Sequence, residues 1–472
     1  MLFNSFEFLA LVVVTLLLYY LPVLRRWQVC ILIASSLFFY AWTTPWLLLL
    51  FLLSAAVNVA TSYQVVYSAP RQRFFYAALG VGVNLAILAF FKYSPLIGNS
   101  LFASTSEVGL FLTQIPLPIG ISFYTFEGIS LLVDSYRERD RHEAQALVPR
   151  SMLQHVRNTT LFVAFFPHLI AGPILKAHDF IPQIKPKYLH DIDWDAFFRA
   201  VIVGYFLKMV VADNLKEQTF WIAYPYFERQ SSAMLVAMLF GYSMQIFADF
   251  AGYSLIAIGV AHLFGYRLPD NFNFPYISRS ITEFWRRWHI SLSSFLREYL
   301  YVPLGGNRRG ELRTYLNLMI VMFLGGLWHG AAWSYAVWGS FHGLALAAER
   351  LGKRWVPAPT SFAGQLAATL LTFSLVSLAW LLFRLPNFEQ ALSYLSHMGS
   401  NVGYAVTGLE ALTIACILFY SLPVVLYHVW YLTRDSYAGL SIRRIDYAWY
   451  AAMLFLIITN AGPAGSFIYF QF

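Results

Sequence analysis

Long apolar blocks divided by short polar breaks dominate the chain. They lie at about 5–24, 28–43, 46–66, 75–91, 109–133, 158–173, 199–213, 233–263, 315–346, 364–384, 409–430 and 447–463. A transmembrane helix needs roughly 20 such residues. Some blocks are short or carry Pro and Gly. Pro116–Phe123 opens one with two prolines, and Phe166–Pro173 closes another. Broken backbone at membrane depth is tolerated where it is buried in protein or lines a cavity, so these read as re-entrant elements. The pattern predicts an all-α polytopic membrane protein, with about eleven spans plus re-entrant pieces. The spans would form one membrane-embedded domain over 1–472.

Two polar stretches interrupt the blocks, 174–198 and 264–314. Within the second, Phe284, Trp288, Leu292, Phe295 and Tyr299 recur at helical spacing, with Arg286, Arg287, Arg297 and Glu298 off the stripe. That predicts one amphipathic helix lying at or dipping into the cytoplasmic interface, anchored by its aromatics and ended by Pro303-Leu304-Gly305-Gly306-Asn307.

Composition supports the membrane reading. The 472 residues are 59% hydrophobic and only 12% charged, where a soluble domain carries about 25% charged residues. The mean hydropathy is +0.58. The net charge of +8 does not point to nucleic acid, because the basic residues fall in breaks between blocks. Arg25-Arg26, Arg71 with Arg73, and the 136–157 loop alternate with basic-poor loops at 43–46 and 93–108. By the positive-inside bias the N-terminus is outside and these basic loops are cytoplasmic. Glu7 precedes the first apolar run, no basic region opens it and no small-residue cleavage site ends it, so it reads as a retained helix. Cys30 and Cys416 both lie in apolar blocks and read as packing residues; no metal-ligand spacing is present.

The candidate chemistry starts at His329, an imidazole inside the apolar run 316–333 with Gly325, Gly326, Gly330, Ala331 and Ala332 around it. An ionisable side chain there is expensive and faces a bundle interior or a watered cavity. The small neighbours clear space for another backbone or for a substrate. His289 follows Trp288, one turn from Trp285, at the edge of the aromatic stripe. His168 and His342 lie beside Gly or Pro in apolar elements and either line a cavity or pack. Of Glu127, Asp134, Gln245 and Asp249, several line that cavity and others pair with an Arg. The 264–314 stretch holds eight Arg and no Lys. Arg gives bidentate phosphate recognition that Lys does not, so Arg286, Arg287 and Arg297 are candidate donor-phosphate contacts, with positive-inside charge as the alternative.

Several strings together resemble the membrane-bound O-acyltransferase (MBOAT) family, in its bacterial alginate O-acetyltransferase-like branch. They are PLPIGISFY at 116–124, FPHLIAGP at 166–173, NFNFPY at 271–276, SITEFWRRWHISL at 280–292, YLYVPLGGN at 299–307, GGLWHG at 325–330, WGSFHG at 338–343 and FIYFQF at 467–472. The resemblance covers nearly the whole chain in order. It departs at Asp249–Ala257, DFAGYSLIA, where the branch reads DFSGYSDMA. It implies a helical fold around a central tunnel, with His329 and His289 as the two motif histidines. Trp328, Trp285, Trp288, His168, His342, Asp249 and Gln245 are candidate tunnel or substrate contacts. The donor implied is acetyl-CoA, with no resident cofactor or metal. The acceptor lies beyond the bacterial inner membrane, a secreted or cell-wall polysaccharide such as alginate or cellulose. The implied partners are a periplasmic SGNH-hydrolase-like acetyltransferase, a polysaccharide synthase or secretion complex, and membrane lipid.

Thioester-to-hydroxyl transfer needs a base, and a buried neutral imidazole suits it. His329 is the expected base. His289 can position the thioester, act as a second base or donate to the carbonyl oxygen. No GxSxG elbow is present. Peptidoglycan O-acetylation and D-alanyl transfer to teichoic acid are alternative acyl transfers. A transporter would show paired halves, which the chain lacks. A synthase scaffold would keep O-acylation after loss of His329.

Overall fold

The computed structural model describes residues 1–472 except 43, 104–105, 140–142, 171, 356, 434–442, 464, 466 and 468–472. Ala171, Arg141 and most of the closing FIYFQF string lie outside the described residues. The described residues form helices joined by loops, with no strand among them. Six helices are long and apolar enough to cross a membrane: Pro22–Ala41, Leu47–Tyr67, Pro70–Leu101, Ser232–Leu263, Phe362–Arg384 and Gly408–Leu432. Helix starts follow local chemistry. Ser5, Ser106, Ser151, Ser280 and Ser361 each accept a hydrogen bond from an amide of their helix's first turn, satisfying donors the helix itself leaves open.

The chain divides into two compact units, Met1–Val201 with Ser254–Pro269, and Ile202–Tyr253 with Asp270–Phe472. In the first, Leu47–Tyr67, Pro70–Leu101 and Ile121–Arg137 pack together, and paired amides join the first two. Asn84 Nδ2 donates to Asn58 Oδ1 at 2.8 Å, both side chains buried. A polar clamp of this kind is worth forming where no water competes. Pro70–Leu101 has only 22% of its most apolar window buried, so most of that window is exposed.

Four expected elements differ from the sequence pattern. The block at 109–133 is two pieces, Glu107–Thr113 and Ile121–Arg137. Pro116 and Pro118 lack amide donors, and Gly120 starts the second helix at φ 73°. The block at 199–213 is α-helical to Tyr205 and π-helical over Phe206–Ala212. The block at 315–346 is a helical hairpin. Glu311–His329 stops at Gly330, whose backbone is extended, and Trp333–Gly352 runs back. His329 is therefore the last residue of a helix, not the middle of a span.

The fourth difference is the aromatic stripe. It is not one helix but Ile281–Arg287, then Ile290–Leu296, then a π turn at Arg297–Tyr301. The break is pinned by an antiparallel exchange with the preceding segment. Asn273 N–H donates to Arg287 O, and Ile290 N–H donates to Asn271 O, each at 2.9 Å. Phe284, Trp288, Leu292 and Phe295 are buried, so the stripe faces the interior of the second unit instead of anchoring at the interface.

Candidate active site

Both motif histidines belong to the second unit, and the structure brings them together. Their ring centroids lie 6.3 Å apart. His329 is held by the helical hairpin. Its ring meets Trp338 and Phe383 edge-on, each at 5.2 Å. Helix Glu311–His329 approaches Trp333–Gly352 through glycines. A Cβ on Gly326 would fall 2.2 Å from Tyr335 O, and one on Gly339 would fall 2.2 Å from Met322 O. The space left by Gly326 is therefore filled by the partner helix's backbone. That close crossing sets where His329, one turn further on, projects.

His289 occupies the break in the stripe. Its backbone is left-handed, φ 43°, and only Phe274, φ 48°, shares that state among the described non-glycine residues. Such strain costs of order 1–3 kcal/mol per residue and clusters where a side chain must be aimed. The imidazole is fully buried. Phe250 packs edge-on against it at 4.7 Å, and Trp328 lies at 5.9 Å. His289 Nδ1 is 3.3 Å from Asn271 Oδ1, while Nε2 has no hydrogen-bond partner among the described residues. His289 lies outside the six long apolar helices. Burial in this aromatic setting pushes its pKa down to about 3, because the charged form is disfavoured away from water.

The other candidates separate. Trp328 touches both histidines, meeting His329 edge-on at 5.2 Å and His289 at a tilt. Trp285 and His342 join the same aromatic wall. Their rings are 5.2 Å apart, and His342 is 4.7 Å from Trp338. Neither ring nitrogen of His342 has a hydrogen-bond partner among the described residues. Trp288 packs behind, against Trp380 and Phe284. Gln245 accepts from the Thr219 hydroxyl at 2.7 Å. Asp249 is tied to Lys208 Nζ at 2.8 Å. His168 belongs to the first unit, where its Nε2 meets Glu127 Oε1 at 2.5 Å, both fully buried.

The three arginines are unequal. Arg287 is held by Glu283 at 2.9 Å and donates to Asn273 O. Arg297 pairs with its neighbour Glu298 and is largely exposed, and Arg286 is exposed.

Sequence reasoning missed two groups. Asn271 and Ser291 surround the His289 ring. The Ser291 hydroxyl, at 2.6 Å, and its amide, at 3.4 Å, both donate to Asn271 Oδ1. Lys208 lies between Asp213 at 2.7 Å and Asp249 at 2.8 Å, all three buried. A lysine inside Phe206–Ala212 was the available signal for that network.

Comparison with known proteins identifies the family to which this chain is similar. Residues 121–388, which include both histidines, match the membrane-bound O-acyltransferase (MBOAT) family. The chain is 41% identical over 409 residues to a probable alginate O-acetylase of Pseudomonas putida, covering 83% of this chain and 79% of that protein. To its counterpart in Azotobacter vinelandii it is 38% identical over 455 residues, 93% of this chain and 86% of that one. A peptidoglycan O-acetyltransferase of Helicobacter pylori is 37% identical over 391 residues, 78% of this chain and 73% of that protein.

Proposed function

The chain belongs to the membrane-bound O-acyltransferase family, and on that premise we propose that it moves acetyl groups from cytoplasmic acetyl-CoA across the bacterial inner membrane for O-acetylation of an exopolysaccharide of the alginate or cellulose class. It is a multi-pass membrane O-acyltransferase. The observation that carries the finer reading is the pair of buried motif histidines with ring centroids 6.3 Å apart. In the proposed step His329 takes the proton of the acceptor hydroxyl as its oxygen bonds to the thioester carbonyl carbon. The tetrahedral intermediate collapses with cleavage of the C–S bond, and the proton passes to the leaving thiolate. The products are an ester and a free thiol, with no net proton released.

The aromatic wall of Trp285, Trp328 and Trp338 keeps water from the thioester, and Arg286 and Arg297 supply charge for the donor's phosphates. Both would lie on the cytoplasmic side, with the N-terminus periplasmic. A periplasmic SGNH-hydrolase-like acetyltransferase takes over the acetyl group and delivers it to the polymer beside its synthase. The similarity to a peptidoglycan O-acetyltransferase supports the wall polymer as a second acceptor class.

Mass spectrometry of the partner and polymer from cells with wild type and His329→Ala is the test. The expected result is loss of O-acetyl groups with the variant still inserted and folded, because a positioned base contributes about 10²–10⁴-fold. O-acetylation that survives His329→Ala would leave a scaffold role instead.

A further inference from the structure

We propose that Asn271 is a positioning residue that holds His289 as its Nδ1–H tautomer, so that His289 meets the reacting groups only as a proton or hydrogen-bond acceptor at Nε2. The inference rests on the acyl-transfer reading above and resolves what the second motif histidine does within it.

Asn271 Oδ1 is the acceptor that His289 and Ser291 share. An amide oxygen and an amide nitrogen look alike, and only the hydrogen-bond network distinguishes them. Here the network decides, because the atom facing His289 also receives the backbone N–H of Ser291. A backbone amide only donates, so that atom is the oxygen. The Ser291 hydroxyl adds a second donor at 2.6 Å. An oxygen accepts only, so the His289 Nδ1 beside it at 3.3 Å carries the hydrogen. A neutral imidazole has one N–H, which leaves Nε2 with a lone pair. Burial keeps the ring neutral at ordinary pH. Nε2 has no partner among the described residues, so its lone pair is directed at whatever occupies the space beside it.

The backbone enforces this arrangement. Asn271 O accepts from Ile290 N–H, and Asn271 Oδ1 accepts from Ser291. One buried asparagine thus clamps both residues after His289 while the strained φ of 43° turns the ring toward it. Of the three roles open to His289, donation to the thioester carbonyl oxygen is removed. Accepting remains, either from the incoming hydroxyl or from an N–H of the donor.

The test reads the tautomer directly in the full-length protein. Solid-state NMR of 15N-histidine-labelled protein in lipid bilayers separates a protonated ring nitrogen from a lone-pair nitrogen, and the difference from a His289→Gln sample assigns the signals. The expected result is Nδ1–H with a lone pair at Nε2. Asn271→Leu should release the ring to the Nε2–H form and lower turnover of acetyl-CoA on the order of 10²-fold, with the donor KM within about twofold. Asn271→Asp keeps an oxygen acceptor and should retain the tautomer and much of the rate.

An Nε2–H signal in the wild type would overturn the proposal without any variant. So would an Asn271→Leu protein that keeps both tautomer and rate. Absence of acetyl-CoA turnover by the wild type would count against the donor reading alone, since the tautomer is measured without substrate.

Discussion

Lys208 interrupts the run Phe206–Ala212 with a charge that reaches neither water nor lipid headgroups. It is met by two carboxylates, Asp213 and Asp249, at 2.7 and 2.8 Å. Breaking a buried network by removing one partner costs about 3–5 kcal/mol, because the carboxylates left behind lose the cation between them. Lys208→Met is therefore expected to lower the thermal midpoint of the purified protein sharply. Neutralising the stranded charges as well, in Lys208→Met with Asp213→Asn and Asp249→Asn, should recover part of that loss. Differential scanning fluorimetry on the single and triple variants reads the difference. A triple variant as unstable as the single one would mean that the lysine stabilises through packing and not through charge. The network also bears on the site, because Phe250, next to Asp249, supplies the edge that packs on His289.

At the scale of elements, the helical hairpin decides where His329 stands. Gly326 and Gly339 let two backbones touch, and any Cβ there meets a carbonyl oxygen at 2.2 Å. Gly326→Ala and Gly339→Ala should each destabilise by about 1–3 kcal/mol through overpacking. They should also lower acyl transfer more than stability alone explains, since a 1 Å misplacement of a reacting group can cost about 10²-fold. Gly352→Ala, which meets nothing within 4 Å, serves as the silent control. Equal activity in all three at matched protein level would remove the hairpin's positioning role.

This hairpin also marks the limit of what the sequence can be made to say. The motif strings pointed to His289 and His329, and the structure brings them together. The turn at 330–332 was not legible, because residues on both sides of it are equally apolar and hydrophobicity carries no break. The interruption at His289 was hidden for a similar reason. The stripe Phe284–Tyr299 keeps helical spacing across it, and the cause lies in pairing with Asn271 and Asn273, contributed by a loop. Asp249 looked like a cavity-lining acid because its partner, Lys208, is 41 positions away.

For the whole molecule, the distribution of charge bears on which way it faces. Pro70–Leu101 offers a direct test. Its 32 residues extend about 48 Å at 1.5 Å per residue, well beyond a hydrocarbon core of roughly 30 Å. Arg71, near its start, and Ala103, just past its end, are both exposed, so the two must emerge on opposite sides if the helix spans. Basic loops tend to be retained in the cytoplasm, so the proposed orientation would put Arg71 there and Ala103 outside. The Arg-rich 264–314 stretch must share the face of Arg71 if it is to meet a cytoplasmic nucleotide. In a background lacking Cys30 and Cys416, Arg71→Cys and Arg286→Cys should react with a membrane-impermeant maleimide in inside-out vesicles, and Ala103→Cys only in right-side-out ones. Labelling of Arg286→Cys from the same face as Ala103→Cys would separate the arginines from the donor's compartment. The phosphate role proposed for Arg286 and Arg297 would then fail, while the assignment of the two histidines, which rests on their geometry, would stand.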